Sequence, residues 1–82
     1  MYELTNIAIG ETGIIAGLGS TGSIRRRLLD LGFVKGSPVT CLFAGPSGEP
    51  RAYLIKHSVI ALRTEDARTV FLTGKEQHGE II

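Results

Sequence analysis

One short segment early in the chain limits the possible folds more than any other, because its apolar residues follow a helical rather than an alternating period. Ile24, Leu28 and Leu31 are spaced i, i+4 and i+7, which places them on one stripe of a helix. Gly32 follows the last of them and suits the left-handed position at which many helices end. The spacing therefore predicts one helix around residues 23–31.

Three consecutive arginines lie on this predicted helix. Successive helical residues are about 100° apart, so residues 25–27 spread over about 200° of surface and cannot all pair with Asp30. Two interpretations remain open. The arginines can form a solvated helix face, or Arg25 and Arg26 can surround Leu29 as the apolar centre of a docking face. Arginine around an apolar residue is typical of protein interfaces.

Composition limits the classes of function that fit. The chain has 82 residues, which predicts one domain, and its formal net charge of +1 disfavours general nucleic-acid binding, which requires a basic excess. The single cysteine, Cys41, cannot form an intrachain disulfide and fits a reducing compartment. The sequence shows neither a signal-peptide pattern nor an apolar run of about 20 residues. We therefore expect a cytoplasmic protein with no direct membrane insertion.

The rest of the chain is predicted to form short strands separated by turns. Eleven glycines and three prolines suit a turn-rich β fold. We predict a single, mainly β domain over residues 1–74, built as a small five-stranded barrel with the helix inserted and a short helical turn near 64–67. A polar tail is predicted over residues 75–82. His57 and Ser58 are predicted to connect the third strand to the fourth. The five predicted strands cover residues 13–18, 39–44, 52–56, 59–63 and 68–72.

No group of residues in the sequence has the spacing of a catalytic or metal site. Specific transition-metal binding needs three or four converging ligands, whereas Cys41, His57 and His78 are widely separated. Alternation along the second predicted strand places Cys41 on one face with Val39 and Phe43, as a small core residue. His57 is expected to be a turn residue with an unusual backbone conformation. The sequence therefore predicts no catalytic residue, no cofactor and no metal ligand.

Four segments in order resemble the FeoA family of small cytoplasmic accessory proteins of bacterial ferrous iron uptake. They are the central motif at residues 26–36, a loop containing proline and glycine at 46–50, a segment at 60–67 similar to the family's IALR signature, and a last strand at 70–72. The resemblance implies an SH3-like β-barrel with packed helices. It also implies a partner, the FeoB membrane transporter, which carries a cytoplasmic GTPase domain. A glycine often occupies the family position at which this chain has His57.

The resemblance and the residues together predict a function. We expect a non-enzymatic protein that regulates a FeoB-like transporter by binding its GTPase or membrane portion, without coordinating iron itself. The docking surface is expected to comprise Arg25, Arg26, Leu29 and Phe33. Weak self-association is compatible with exposed apolar side chains near the helix. The alternatives are an SH3-like domain that regulates a metal-dependent transcriptional repressor, and a small RNA-binding barrel, against which the near-neutral charge argues.

Overall fold

The computed structural model describes residues 2–75, which form six strands, two α-helices and one 3₁₀ turn. The prediction of a mainly β fold with an inserted helix and a short helical turn at 64–67 is confirmed. A sixth strand at the start of the chain was not predicted. The elements are β1 (Tyr2–Glu3), the 3₁₀ turn (Leu4–Asn6), β2 (Thr12–Leu18), α1 (Gly22–Leu31), β3 (Pro38–Ala44), β4 (Arg51–Ile55), β5 (Ser58–Leu62), α2 (Thr64–Ala67) and β6 (Val70–Lys75).

The six strands form one antiparallel sheet in the order β1-β6-β2-β3-β4-β5. Strand β2 lies near the centre and pairs with β3 on one side and with the last strand, β6, on the other. Strands β1 and β5 are therefore the two edges of the sheet, while α2 packs against the 3₁₀ turn. The arrangement brings the first and last strands of the chain together and leaves β5 with one neighbour within residues 2–75.

A bulge in β3 changes the direction of one predicted core residue. Val39 and Cys41 are buried as expected, but the pairing with β4 shifts by one residue between Cys41 and Phe43. A one-residue shift reverses the side-chain alternation, so Phe43 leaves the inner face. Its side chain is 59% exposed, and the prediction that Phe43 shares the buried face of Cys41 is wrong.

The connection between β4 and β5 is a two-residue turn formed by Lys56 and His57, one residue earlier than predicted. Both residues have positive φ angles, 54° at Lys56 and 135° at His57. The prediction of an unusual backbone conformation at His57 is confirmed. Left-handed conformations cost free energy in residues other than glycine, so this turn is strained.

The core draws buried side chains from the 3₁₀ turn, from both helices and from five of the six strands. Thirteen buried residues form one apolar cluster, so a single core holds all the elements together. They are Leu4, Ile7, Ile15, Leu28, Phe33, Val39, Cys41, Tyr53, Ile55, Leu62, Ala67, Val70 and Leu72.

Strand β6 ends at Lys75, the first residue of the predicted tail. Lys75 belongs to β6 and pairs with Gly13, so the sheet extends one residue beyond the predicted boundary at 74. The remainder of the predicted tail, 76–82, lies outside the described residues, as does His78.

A carboxylate from the β3–β4 loop stabilises the start of α2. The Glu49 side chain accepts a hydrogen bond from the Thr64 backbone N–H at 2.8 Å, and its other oxygen lies 3.8 Å from Arg63 Nη1. Hydrogen bonds from the Thr64 hydroxyl and N–H, together with the Arg63 cation, lower the pKa of Glu49 below its ordinary value. Glu49 thereby satisfies a helix N–H that would otherwise lack a partner.

Candidate protein-docking surface

Helix α1 ends in a motif that its sequence encodes. Gly32 has a φ of 110°, and its N–H donates to the Leu29 carbonyl at 3.0 Å. The Phe33 N–H donates to the Leu28 carbonyl, also at 3.0 Å. These two bonds define a Schellman motif, in which an apolar residue after the glycine usually contacts one in the last turn. Leu28 and Phe33 occupy those two positions.

The Schellman motif turns Phe33 into the core. Phe33 is 0% exposed and belongs to the same apolar cluster as Leu28. The prediction that Phe33 contributes to a docking surface is therefore wrong. The signal was present in the sequence, because Leu28 and Phe33 have the spacing of the apolar contact that accompanies a glycine stop.

The other three predicted site residues lie together on the exposed side of α1. Arg25, Arg26 and Leu29 line one shallow concavity with Gly22, Ser23 and Asp30, and we call these six residues the helix face. Leu29 is 37% exposed and lies at its apolar centre. Leu28 is the only buried residue of α1, so most of the helix is exposed to solvent.

The helix face is positively charged. Arg25, Arg26 and Arg27 are all exposed, and with Asp30 they give α1 a formal charge of +2 (three cations and one anion). No ion pair joins Asp30 to an arginine in the described part of the chain. Arg25 Nη1 donates to the Leu18 carbonyl at 3.3 Å, which holds its guanidinium beside the end of β2. Arg26 is left as a solvated cation beside Leu29.

Arg27 occupies a different side of the same helix. It is exposed like its neighbours but does not line the concavity around Leu29. Because it carries the same charge one residue away, Arg27 serves as a matched control for substitutions of Arg26.

Cys41 and its neighbours belong to the packed core and do not form a chemical site. Cys41 is a buried core residue as predicted, 3.7 Å from Arg51 Nη1, which also donates to the Ile7 carbonyl at 2.7 Å. Burial raises the pKa of the neighbouring Tyr53, with the Arg51 cation opposing the shift. The Tyr53 hydroxyl has no hydrogen-bond partner among the described atoms.

Metal ligands are not clustered in the part of the chain that is described. No group of three or more histidine, cysteine, aspartate or glutamate side chains within residues 2–75 could hold an ion. His57 lies exposed at the tip of the β4–β5 turn, whereas Cys41 is inside the core. The exposed apolar and cationic side chains of α1 are more suited to protein recognition than to metal binding.

The arrangement defines a class of protein. Six antiparallel strands around one core, with a helix inserted after the second, match solved structures of small SH3-like domains. A Stenotrophomonas maltophilia FeoA structure, described as a prokaryotic SH3 domain protein complexed with zinc, superposes with a TM-score of 0.80 at 29% identity, covering 88% of this chain and 89% of that one. A Chlorobium tepidum FeoA structure also gives a TM-score of 0.80, at 25% identity over 93% of this chain and 75% of the other.

The sequence comparison assigns the family. The FeoA domain family matches residues 2–73, and the chain belongs to that family, which is associated with ferrous iron transport. A curated relative from Porphyromonas gingivalis is a fusion of Fe(2+) transport protein A with the Fe(2+) transporter FeoB. It is 31% identical over 68 residues, which cover 83% of this chain and 8% of the fusion protein. The chain thus spans about a twelfth of that relative's length. No helix within residues 2–75 is long and apolar enough to cross a membrane.

Proposed function

We propose that this chain is a non-enzymatic, cytoplasmic accessory protein of ferrous iron uptake that binds a FeoB-type transporter through the helix face. The observation that carries the proposal is the P. gingivalis relative, in which a similar segment and a FeoB transporter are parts of one polypeptide. Fusion gives two domains a high effective concentration for each other. A docking surface on the FeoA-family domain would support the same association without a covalent link.

The helix face is suited to this role. Leu29 provides exposed apolar area, and arginines are enriched at the energetically important positions of interfaces. The charge of +2 on α1 favours an acidic region of the transporter and would accelerate association at low salt. Because Leu28 and Phe33 anchor the end of α1 in the core, the face is held in a fixed orientation before binding.

Calorimetric titration against the cytoplasmic GTPase domain of a cognate FeoB, with and without a non-hydrolysable GTP analogue, tests the proposal. Full-length transporter in nanodiscs provides the membrane portion in a parallel titration. We expect Arg26→Glu and Leu29→Ala each to raise the Kd at least about tenfold, equivalent to ~1.4 kcal/mol. Arg27→Glu, with the same charge reversal outside the concavity, should change the Kd by less than about threefold.

Two results would contradict parts of the proposal separately. If folded Arg26→Glu and Leu29→Ala proteins bind as tightly as the wild type, the helix face is not the docking surface. If the wild type binds neither the GTPase domain nor the full transporter in either nucleotide state, the association itself is refuted. Circular dichroism of each variant establishes that it is folded.

A further inference from the structure

Strand β5 is an edge strand that lacks the usual protection against pairing with another chain. Natural edge strands are guarded by short length, charged side chains, proline or bulges. The five residues of β5, Ser58–Leu62, include none of these side chains, and their pairing with β4 is regular throughout. The opposite edge, β1, is only two residues long. The sheet therefore has one open, regular edge within residues 2–75.

The register identifies which backbone groups of β5 face outwards. The β4–β5 turn is closed by the pair Ile55 and Ser58, which exchange backbone hydrogen bonds across a two-residue turn. Antiparallel pairs alternate between bonded and non-bonded, so the N–H and C=O groups of Val59 and Ala61 point away from β4. No turn or loop bond reaches these groups from the rest of the described chain. Val59 and Ala61 thus present two donors and two acceptors on the free edge.

The free edge of β5 is complementary to itself. A two-fold axis through Ile60 places Val59 of one copy opposite Ala61 of the other, and the reverse. Both are outward-facing residues of the edge, so all four groups on each copy find partners in an antiparallel ladder. The side chains of Val59 and Ala61 lie on the same face of the strand, and Val59 is 58% exposed. Pairing would cover part of that apolar side chain.

Charges flanking β5 favour the same register. Continuing the two-fold register beyond the strand sets Lys56 opposite Thr64 of the second copy, one residue from Glu65 in the first turn of α2, and symmetry repeats this arrangement. The Lys56 and Glu65 side chains are exposed, and neither forms an ion pair with another described residue of its own chain. The register also brings His57 opposite Arg63 of the second copy, whose charge is offset by Glu49. Opposite charges at both ends of a ladder stabilise it over alternative registers.

We propose that the β5 edge is a self-association site at which two copies pair antiparallel about Ile60 and form a continuous twelve-stranded sheet. Five residues per copy is far fewer than the roughly 20–30 residues per side of a stable interface. The dimer is accordingly weak, and its population depends on protein concentration. The proposal does not depend on transporter binding, because α1 and β5 are separate surfaces.

Sedimentation velocity between about 10 μM and about 1 mM protein measures the association. We expect the wild-type sedimentation coefficient to rise with concentration. Val59→Lys, which adds a charge at the edge, should weaken association at least about tenfold. Leu54→Lys is the matched control, because Leu54 pairs with Val59 and is also exposed but lies on the interior strand β4. It should leave association close to that of the wild type.

Charge exchange tests the register. Lys56→Glu and Glu65→Lys alone should each weaken association, and the double variant should restore it towards the wild type. Amide hydrogen exchange adds a residue-level readout, since Val59 and Ala61 should exchange more slowly at high concentration. Ile60, already bonded to Tyr53 in β4, should not change.

Three results would overturn the proposal. The first is a wild type that is monomeric at every concentration. This includes the case in which a transporter fragment, rather than a second copy, protects the amides of Val59 and Ala61 from exchange. The second is equal weakening by Val59→Lys and Leu54→Lys, which would show that pairing does not occur at the edge. The third is a double charge variant that associates no better than either single one.

Discussion

Two phenylalanines of this chain have opposite surroundings, and the same substitution at each tests the structure directly. Phe33 is 0% exposed behind the end of α1, whereas Phe43 is 59% exposed beyond the bulge in β3. The sequence alone suggested the reverse, with Phe43 in the core and Phe33 on the surface. Phe33→Ala and Phe43→Ala therefore distinguish the structure from the sequence-based expectation.

The expected magnitudes follow from burial. Truncating a fully buried phenylalanine to alanine costs about 3–5 kcal/mol, because apolar transfer is lost and a cavity remains. A complete phenylalanine burial is worth about 1.5–3 kcal/mol, so the 41% of Phe43 that is covered corresponds to about 1 kcal/mol. The 74 described residues suggest a total stability of about 4–11 kcal/mol, so Phe33→Ala removes a large part of it.

Urea unfolding followed by circular dichroism measures both changes, with ΔG and m fitted for each protein. We expect Phe33→Ala to lose at least ~2 kcal/mol more than Phe43→Ala. If Phe33→Ala does not fold, Phe33→Leu is compared with Phe43→Leu, and the buried position should show the larger loss, of up to about 1.5 kcal/mol. Equal losses at the two positions, or a larger loss at Phe43, would refute both the Schellman packing of Phe33 and the outward turn of Phe43.

Two further predictions concern the turns that join the strands. His57→Gly should raise stability by about 1 kcal/mol, because relief of the strain at a φ of 135° exceeds the added entropy of the unfolded chain, and the melting temperature should rise by about 4–8 °C. Lys56→Gly, at the milder φ of 54°, should gain less, and a larger gain there would contradict the assignment of strain to His57. Glu49→Gln should reduce stability near neutral pH and have less effect in acid. Folding lowers the pKa of Glu49, so its contribution is complete above the ordinary carboxyl pKa and is lost as pH falls through the folded-state pKa. Urea unfolding of both proteins at about pH 7 and at about pH 2.5, well below the ordinary carboxyl pKa, measures this, and an unchanged difference between them would contradict the role of the Thr64 hydrogen bonds.

The candidate surface was largely predictable because it depends on local geometry. Arg25, Arg26 and Leu29 share a face of α1 through helical spacing alone, and the structure brings them together around one concavity. Phe33 follows the helix closely in sequence, which by itself suggests the same surface. Its position depends instead on the backbone reversal at Gly32, which directs the next residue towards Leu28.

The sequence by itself determined the features that depend on neighbouring residues: the helical period of α1, its stop at Gly32, the turn at His57 and the motifs that indicate the FeoA family. The tertiary structure decided what depends on residues far apart in the chain. Strand pairing places β6 between β1 and β2, turns Phe43 outwards at the bulge and leaves the edge of β5 exposed. Pairing is set by contacts between distant segments, and a one-residue change of register reverses every later side chain, which local alternation cannot reveal.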